Sequence, residues 1–324
     1  MKAIVYEKYG SPEVLQLSEV ETPTPKEAEV LVKIRATSVT KFDCWMRSST
    51  APPGFGLLSR FASGIKKPKQ MILGTDFAGE IEAVGKDVTR FKVGDQVYGF
   101  SGFAMSTHAE YICLPEEAMT LKPVNRTYKE ATAVIQGGLT ALFFLQKANI
   151  QRGQKVLIFG ASGGVGGYAV QLAKNHFGAE VTGVCSTSKM EYVKSLGADQ
   201  VIDYTQEDFT QNGQVYDVVF DTVGKTSVSR TRKSLQENGW YLLATFGLPM
   251  LVQLLRFSKF SGLNFEFGTL TEVNSDLIIL RELLEKRVIK PTVDRSYPFE
   301  QVAEAHRFVE SGQKMGNIVI TVAG

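Results

Sequence analysis

The feature that most constrains the fold is a glycine-rich turn between an apolar segment and a helical pattern. Lys155–Phe159 has the composition of a buried strand, Gly160-Ala-Ser-Gly163-Gly164-Val-Gly166-Gly167 follows it, and a helical pattern covers Val165–Phe177. Glycines carry no Cβ, so backbone N–H groups can approach a pyrophosphate, which the positive end of the next helix also attracts. The order predicts a nucleotide-binding unit; the alternative is a connecting turn without a ligand.

The end of the next predicted strand indicates which dinucleotide such a unit would bind. NAD sites place Asp or Glu there, where the carboxylate accepts hydrogen bonds from the ribose 2′-hydroxyl. Here the strand Glu180–Val184 runs into Cys185-Ser-Thr-Ser-Lys189, which contains no acid. Ser186, Lys189 and, after the third strand, Tyr204 would suit a 2′-phosphate, so we predict NADPH. In the alternative interpretation, Ser188 caps a helix and Lys189 is a solvated charge.

The rest of the chain divides by its secondary-structure pattern. Residues 1–121 are β-rich, with short alternating strands predicted at Val30–Arg35, Gly79–Val84 and Gln96–Phe100. From residue 122 apolar strands alternate with helices, the first of which begins at the capping box Thr127-x-x-Glu130. This alternation predicts a parallel sheet covered by helices on both faces.

The other predicted elements follow the same alternation. The strands are Gln200–Asp203, Tyr216–Asp221, Trp240–Ala244 and Leu263–Phe267, and the helices are Ser188–Leu196, Thr226–Gln236, Ser275–Lys286 and Phe299–Glu310. The last strand, Asn317–Val322, has the short alternating pattern of the β-rich part. We therefore predict a split domain of residues 1–121 and 291–324, with residues 122–290 inserted.

Composition and charge exclude several other classes. The 324 residues have 44% hydrophobic and 22% charged content and a net charge of +2, typical of a globular protein without a bias toward nucleic acid. Cys44, Cys113 and Cys185 are far apart, which favours reduced thiols over a disulfide framework or zinc motif. With no apolar run long enough to span a membrane and no signal-peptide pattern, we expect a cytoplasmic protein.

Several motifs together resemble the medium-chain dehydrogenase/reductases, and among them the zinc-independent quinone oxidoreductases. These motifs are the Gly160–Gly167 turn, Gly74-Thr-Asp-Phe-Ala-Gly79, Phe91-Lys-Val-Gly-Asp95 and Gly137-Gly-Leu-Thr140-Ala141. The resemblance covers essentially the whole chain. It implies an α/β fold in which a GroES-like, partly closed β-barrel catalytic domain carries an inserted Rossmann domain. It also implies a homodimer that pairs through the edge strand Leu263–Phe267.

The zinc ligands of the alcohol dehydrogenases are replaced in this chain. The Cys-His pair of those enzymes matches Thr40-Lys41, their Gly-His-Glu stretch matches Gly74-Thr75-Asp76, and the third ligand position falls near Gln136. A Thr hydroxyl and a Lys ammonium do not replace a thiolate and an imidazole on Zn²⁺. We predict no metal, which disfavours alcohol oxidation and leaves the reduction of an electron-poor acceptor.

The resemblance implies a set of cofactor contacts. Thr140 would lie near the nicotinamide, and Phe246-Gly247 and Phe267-Gly268 would line the nicotinamide end with backbone groups. Thr222-Val223-Gly224 would border the adenosine ribose, and Asn317 would close over the cofactor. With the turn and the phosphate pocket, the predicted cofactor-binding residues are Thr140, Ala161, Ser162, Gly163, Gly164, Val165, Ser186, Lys189, Tyr204, Thr222, Val223, Gly224, Phe246, Gly247, Phe267, Gly268 and Asn317.

The resemblance also indicates the reaction. We expect hydride transfer from NADPH to a quinone or an α,β-unsaturated carbonyl, with catalytic candidates Thr40, Lys41 and Asp43 in a cleft that also includes Trp45, Met46 and Phe246. Lys41 would stabilise a developing oxyanion, or would be a surface lysine paired with Asp43. The alternatives are an enoyl-thioester reductase and a weakly catalytic NADPH-binding or sensing protein. The acceptor, the proton donor and the oligomeric state stay open.

Two segments stand apart from these motifs. Ser48–Gln70 contains a basic run and is predicted to be a long loop, either a lid on the pocket or a solvated insertion. Leu248–Phe260 is apolar with two cations, and it is interpreted as a cap on the pocket, a packing surface or a peripheral membrane contact.

Overall fold

The structure is a computed structural model, and it describes residues 1–261, 263–268, 270 and 273–322. At residues 57–59, 62 and 257–261, which lie within two helices, the backbone alone is described. The β-rich beginning of the chain contains two helices, α1 (Lys41–Ser48) and α2 (Gly56–Ser63). Its strands are β1 (Lys2–Val5), β2 (Gln16–Glu19), β3 (Glu29–Val39), β4 (Asp76–Val84), β5 (Gln96–Phe100), β6 (Tyr111–Pro115) and β7 (Met119–Leu121).

The second part of the chain alternates strands and helices as predicted. Its elements are α3 (Tyr128–Lys147), β8 (Lys155–Phe159), α4 (Gly164–Gln171), β9 (Glu180–Cys185), α5 (Met190–Ser195), β10 (Gln200–Asp203), β11 (Tyr216–Asp221), α6 (Val228–Thr231), β12 (Leu235–Leu243), α7 (Leu248–Ser261), β13 (Asn264–Phe267) and α8 (Val273–Glu285). The chain then ends with β14 (Val293–Pro298), α9 (Val302–Glu310) and β15 (Asn317–Thr321).

A parallel sheet forms the centre of the second part. Among the described residues it has six strands, in the order β10-β9-β8-β11-β12-β13. Since β8 lies between β9 and β11, the strand order reverses at β8, and a crevice forms beyond the carboxyl ends of these strands. Helices α3, α4 and α8 bury one face, with Leu142, Phe220 and Leu280 in the same apolar core.

The other sheet is mainly antiparallel. In the described residues its order is β14-β15-β3-β4-β5-β7, and β6 also pairs with β3. The last strand, β15, pairs antiparallel with β3, with Ile318 opposite Val39, so the prediction that the chain returns to the first sheet is confirmed. The predicted fold class, a partly closed β domain combined with a doubly wound parallel sheet, is also confirmed.

The long helix α3 connects the two sheets. It begins at the predicted capping box, in which the Thr127 hydroxyl accepts from the Glu130 N–H and the Glu130 carboxylate accepts from the Thr127 N–H. One side of α3 packs on β3, β4 and β15 and the other on α4 and α8. A further link between the two parts is the hydrogen bond from the Tyr98 hydroxyl to the Leu277 carbonyl, at 2.6 Å.

Several predicted elements were wrong in kind or extent. The segment Ser48–Gln70 is not a continuous loop, because it contains α2. The helix predicted over Thr226–Gln236 shortens to α6 and a following turn, since β12 begins at Leu235, which pairs with Tyr216. The helix predicted to Phe177 ends as α4 and continues as a π-helical turn over Leu172–His176. Helix α1 and strand β14 were not predicted.

Candidate active site

The glycine-rich turn lies at the point where the strand order of the parallel sheet reverses. Gly160 has φ +83°, and a Cβ there would lie 2.6 Å from the Thr222 Oγ1, so glycine is needed both for the conformation and for the close approach. Gly163 is at the N-cap position of α4, where no side chain among the described residues caps the helix. The N-terminal N–H groups of α4 therefore face the crevice, as a bound pyrophosphate requires.

The final strand contributes to the same cradle. A Cβ on Gly164 would lie 2.5 Å from the Asn317 Oδ1, and the Gly316 N–H donates to the Ser162 carbonyl at 3.1 Å. Asn317 is itself held by hydrogen bonds from its Nδ2 to Thr292. The structure thus brings Asn317 against the turn, as its predicted role requires. Ala161 is fully buried and Val165 packs against the core, so these two residues offer the ligand only backbone groups.

Lys314 is a candidate phosphate ligand that the sequence reasoning missed. Its ammonium donates to the Gly316 carbonyl at 2.8 Å and lies 3.3 Å from the Cβ position of Gly164, at the N-terminus of α4. Burial lowers the pKa of Lys314 to about 8, with the Asp294 carboxylate opposing this shift and the Lys189 charge adding to it. Lys314 follows α9, about 150 residues after the glycine turn, so no local sequence pattern indicated that it would lie beside this turn.

The residues of the predicted 2′-phosphate pocket lie at the carboxyl ends of β9 and β10. The Lys189 ammonium donates to the carbonyls of Gly312 and Lys314 at 3.2 and 3.1 Å, so the side chain is held in place rather than free in solvent. Tyr204 is exposed, and its N–H donates to the Cys185 carbonyl beside Ser186. The arrangement places a positive charge, a hydroxyl and an exposed ring at one edge of the crevice.

An acid does lie near this pocket, on the neighbouring strand. Asp203 pairs with Cys185 in the parallel register, and its carboxylate accepts from the Thr187 hydroxyl and from the N–H and hydroxyl of Thr205. These hydrogen bonds, that from Thr187 first, lower its pKa. Asp203 is therefore engaged in the turn after β9 and does not present its oxygens to a ribose.

The loop after β11 has the position predicted for a wall of the ribose site. The Thr222 hydroxyl donates to the Phe159 carbonyl at 2.8 Å. Val223 and Gly224 donate their N–H groups to the carboxylate of the buried Asp221, which also binds Thr226. Asp221 is a structural residue that the sequence reasoning missed. Its place as the last residue of an apolar strand was the available signal.

The predicted nicotinamide end is aromatic. The Phe246 ring lies 4.9 Å from that of Phe267 and 5.8 Å from that of Phe55, centroid to centroid. Phe55 belongs to the Ser48–Gln70 segment, whose Pro53 carbonyl also accepts from the Leu248 N–H at 2.8 Å. This segment thus lies against the predicted cofactor site, and a Cβ on Gly247 would approach the Pro53 carbonyl to 2.8 Å.

A cavity of about 520 Å³ opens between the two sheets. Its wall combines Thr140 and Gly268, both predicted cofactor contacts, with aromatic side chains and a few polar groups. The lining residues are Phe42, Thr75, Phe100, Ser101, Gly102, Phe103, Glu117, Ala118, Gln136, Thr140, Phe144, Ala244, Gly268, Leu270 and Val273. The cavity is suited to a small, largely apolar molecule beside the nicotinamide.

None of the cleft candidates named from the sequence is among the described residues that line this cavity. Trp45 is partly buried elsewhere and Met46 packs against Tyr6 and Leu73, whereas Phe42, which was not predicted, lines the cavity. Phe246 lies in the aromatic group beside Phe55. Among Leu248–Phe260, Leu254 is buried and Leu248, Val252 and Leu255 are exposed, while the side chains of 257–260 lie outside the described residues.

Thr40 and Asp43 form the capping box of α1. The Asp43 carboxylate accepts from the Thr40 N–H at 2.8 Å, from the Thr40 hydroxyl at 2.6 Å and from the Gly74 N–H at 3.0 Å, and it is fully buried. It therefore does not take the predicted alternative role as the ion-pair partner of Lys41, which is exposed at the first position of α1. The pattern Thr-x-x-Asp could have identified this cap, as Thr-x-x-Glu did for α3.

Asp76 stands next to the cavity wall and is almost completely buried. Its Oδ2 accepts from the Ser38 hydroxyl at 2.6 Å and its Oδ1 from the Thr75 hydroxyl at 3.1 Å. Burial raises the pKa of Asp76 from 3.8 to about 7; the Ser38 hydrogen bond opposes this shift and the Asp43 charge adds to it. In the described part of the chain, no group of three or more His, Cys, Asp or Glu is arranged to hold a metal.

Asp76→Asn is expected to stabilise the protein in a pH-dependent way. Since the folded-state pKa lies above the unfolded one, wild type loses stability as pH rises from about 4 to about 7, when only the unfolded state releases the proton. About three pKa units correspond to roughly 4 kcal/mol. The difference in unfolding free energy between the variant and wild type, measured by urea titration, should therefore increase by roughly 4 kcal/mol between about pH 4 and about pH 7. A difference independent of pH would contradict the shift.

Two histidines are buried near Cys44. His306 Nδ1 lies 3.5 Å from the Cys44 Sγ, and the His306 and His108 rings meet edge to face at 6.0 Å. Burial lowers the pKa of His306 well below its usual value and raises that of Cys44 to about 12. These groups form packing contacts rather than a reactive thiolate.

Comparisons with known proteins agree with this architecture. Residues 26–125 match the family model described as the alcohol dehydrogenase GroES-like domain, and residues 196–320 match the one described as zinc-binding dehydrogenase. The chain is 35% identical to the 2-methylene-furan-3-one reductase of Solanum lycopersicum, covering 99% of this chain and 79% of the relative. It is 32% identical, with the same coverage, to the chloroplastic NADPH-dependent alkenal/one oxidoreductase of Arabidopsis thaliana.

A solved structure shows the same fold over the full length. The Escherichia coli quinone oxidoreductase complexed with NADPH superposes with a TM-score of 0.86 at 27% identity, covering 99% of this chain and all of that one. No helix among the described residues combines the length and apolar character needed to cross a membrane.

Proposed function

Because the chain belongs to the medium-chain dehydrogenase/reductase superfamily, in its quinone oxidoreductase-like branch, we propose that it reduces a quinone or an α,β-unsaturated carbonyl with NADPH. The observation that carries the proposal is the cavity of about 520 Å³, whose wall is shared by the predicted nicotinamide contacts Thr140 and Gly268 and by aromatic side chains. NADPH, when bound, supplies the hydride.

The residues of the chain fit this cofactor and position the acceptor. The α4 N-terminus and Lys314 would hold the pyrophosphate, and Ser186, Lys189 and Tyr204 would hold the 2′-phosphate. Phe42, Phe100 and Phe103 also line the cavity, where they favour a planar, apolar acceptor. The rate of hydride transfer then depends mainly on the distance and orientation that the cleft imposes on the cofactor and the acceptor.

The cofactor role of each predicted residue is part of this proposal. The domain limits 1–121, 122–290 and 291–324 stay predictions.

We further propose that the reaction needs no zinc. At the positions of the alcohol dehydrogenase ligands, Thr40 caps α1 with Asp43, and Asp76 is bound by Ser38 and Thr75. Lys41 stays the candidate for stabilising an oxyanion, because its exposed ammonium lies near Lys314 and contributes to lowering its pKa. The cytoplasmic location expected from the sequence also stays a prediction.

The proposed function is tested by following NADPH oxidation with a chelator present. The acceptors are a benzoquinone, a naphthoquinone, a 2-alkenal, an enone and an enoyl thioester, each repeated with NADH. We expect turnover of quinones or enones with NADPH and no effect of the chelator. Preference for the thioester would favour an enoyl-thioester reductase. Tight NADPH binding without turnover of any acceptor would favour a sensing role and contradict the proposal.

A homodimer through the edge strand β13 is the expected assembly. This strand pairs with β12 and, within the described residues, with no other strand, so its second edge is the proposed site of pairing with a second copy. Sedimentation equilibrium should give a mass near twice 35.7 kDa at micromolar concentration. A concentration-independent mass of 35.7 kDa would contradict the dimer.

A further inference from the structure

A hydroxyl and a buried carboxyl group connect the cavity to the interior of the β domain. Thr75 lines the cavity together with Gln136 and Thr140. Its hydroxyl donates to the Asp76 Oδ1 at 3.1 Å, while the Ser38 hydroxyl donates to the Oδ2 at 2.6 Å. Thr75 and Asp76 are only 1% and 2% exposed, so the pair lies in the cavity wall with little surface open to the cavity or to bulk solvent.

The proposed reaction requires a proton at this place. An enone or quinone that gains a hydride carries a negative charge on its oxygen and must gain one proton to complete the reduction. The side chains of Phe42, Phe100 and Phe103, which line the acceptor site, carry no proton to donate. The sequence offered no donor, and the described lining of the cavity contains no Tyr, His or Lys; the acidic residue of this lining is Glu117, which is exposed to solvent.

We propose that Asp76 supplies this proton through the Thr75 hydroxyl, an inference that rests on the proposed function. The Thr75 O–H bond breaks as a new O–H bond forms on the acceptor, and the Thr75 oxygen takes the proton of the Asp76 carboxyl group. Asp76 is left as a carboxylate that accepts from Thr75 and Ser38, which is the hydrogen-bond pattern seen in the structure. The neutral enol formed from an enone then converts to the saturated carbonyl in water.

The surroundings of Asp76 allow it to hold and release a proton near neutral pH. Burial and the Asp43 charge raise its pKa to about 7, while Ser38, Thr75 and the backbone of Gln136 stabilise the carboxylate. Further titratable groups lie on the elements around it. Among them are Tyr168 of α4, whose pKa the Asp76 charge raises, and His108, whose Nε2 donates to the Ser38 carbonyl at 2.9 Å and whose ring meets that of His306.

The same pair provides a route for reprotonation. After the product leaves, a proton returns through the Thr75 hydroxyl to Asp76; because Thr75 is only 1% exposed, water reaches it when the cavity wall opens locally. The carboxyl group therefore acts as a proton store that is refilled once per turnover, and Thr75 is the member of the pair that lies in the cavity wall.

Two substitutions remove the two parts of the relay. Asp76→Asn keeps the shape and an acceptor for Ser38 but has no titratable proton, and Thr75→Val keeps the shape without the hydroxyl. Thr37→Val is the matched control, because the Thr37 hydroxyl donates at 2.8 Å to the backbone carbonyl of Asp76 and not to its carboxyl group. Each variant is assayed with an enone and with a strongly electron-poor benzoquinone, whose reduced anion is stable without a proton.

We expect Asp76→Asn and Thr75→Val to lower kcat for the enone about 100-fold, as typical for loss of a proton-transfer group. With the electron-poor quinone, Asp76→Asn should change kcat less than about 3-fold, since that product needs no proton within the site. Wild-type kcat for the enone should fall as pH rises through about 7, and it should be lower in D2O than in H2O. Both variants should show neither the fall near pH 7 nor this solvent isotope effect. Thr37→Val should retain both.

A measurement without turnover checks the proton itself. The infrared difference spectrum, wild type minus the Asp76→Asn variant, should show the band of a protonated carboxyl group, and this band should disappear as pH rises through about 7. The relay is overturned if this band is absent at pH 6, or if Asp76→Asn slows both acceptors equally. Failure of wild type to reduce either acceptor would instead contradict the proposed function, and the relay with it.

Discussion

Gly166→Ala is expected to disrupt the nucleotide-binding unit. A Cβ at this position would lie 2.2 Å from the Gly160 carbonyl oxygen and 2.8 Å from the Ala161 Cα, and both are backbone atoms fixed by the turn after β8. The start of α4 must move away from the sheet, which we expect to cost about 3 kcal/mol. Thermal unfolding should show a Tm lower by roughly 6–12 °C, and calorimetry should show at least a 30-fold weaker NADPH affinity.

Gly163→Ala is the matched control in the same turn. Its Cβ would lie 3.4 Å from the Gly160 carbonyl oxygen, an ordinary contact, and its φ is negative. The Tm should therefore stay within about 2 °C of wild type. Because the fold is then intact, any loss of NADPH affinity in Gly163→Ala would come from the Cβ hindering the approach of the pyrophosphate. An unchanged Tm for Gly166→Ala would show that α4 adjusts to a Cβ and that close helix–strand packing is not required.

Lys189→Ala is expected to remove most of the preference for NADPH over NADH. The two carbonyls that hold the ammonium fix it at the proposed 2′-phosphate site, and a charge-assisted hydrogen bond of about 2 kcal/mol corresponds to roughly a 30-fold loss of NADPH affinity. NADH affinity should change less than about 3-fold. Lys194→Ala, which removes a lysine that pairs with Glu191 on the surface, should leave both affinities unchanged.

Lys314→Ala separates the two phosphate sites. Because Lys314 lies at the α4 N-terminus, we expect NADPH and NADH to lose affinity by similar factors of about 10. Affinity of wild type for both dinucleotides should also decrease above pH 8, as Lys314 loses its proton. Equal losses of NADPH and NADH in Lys189→Ala would instead indicate that Lys189 only anchors the carbonyls of Gly312 and Lys314, and the 2′-phosphate site would be elsewhere.

Much of the fold was predictable because local chemistry repeats along the chain. The strands Lys155–Phe159, Gln200–Asp203 and Tyr216–Asp221 were predicted with the limits that the structure gives, since each is a short apolar run bounded by turn residues. The helix after Thr127 was predictable from its cap. The prediction over Thr226–Gln236 was wrong because its propensity was overridden by the pairing of Leu235 with Tyr216.

The candidate site was predictable only in part. Residues of the glycine turn belong to one contiguous motif, so their common position follows from the sequence. Lys41 and Asp43 were interpreted as catalytic from their positions in the chain. In the structure, the Asp43 carboxylate instead accepts hydrogen bonds from Thr40 and Gly74 at the start of α1. Lys314 gave no local pattern, although it lies against the glycine turn. Asp76 was recognised only as the position of a replaced zinc ligand, and its burial beside the cavity wall was not predicted.

The sequence by itself determined most of the order of strands and helices, the nucleotide-binding turn and the replacement of the usual zinc ligands, because each depends on neighbouring residues or on residue type. The tertiary structure alone decided which groups meet. It placed Lys314 against Gly164 and enclosed Asp76 between Ser38 and Thr75. Burial and through-space contacts change the charge and pKa of a side chain, and no periodicity along the chain records them.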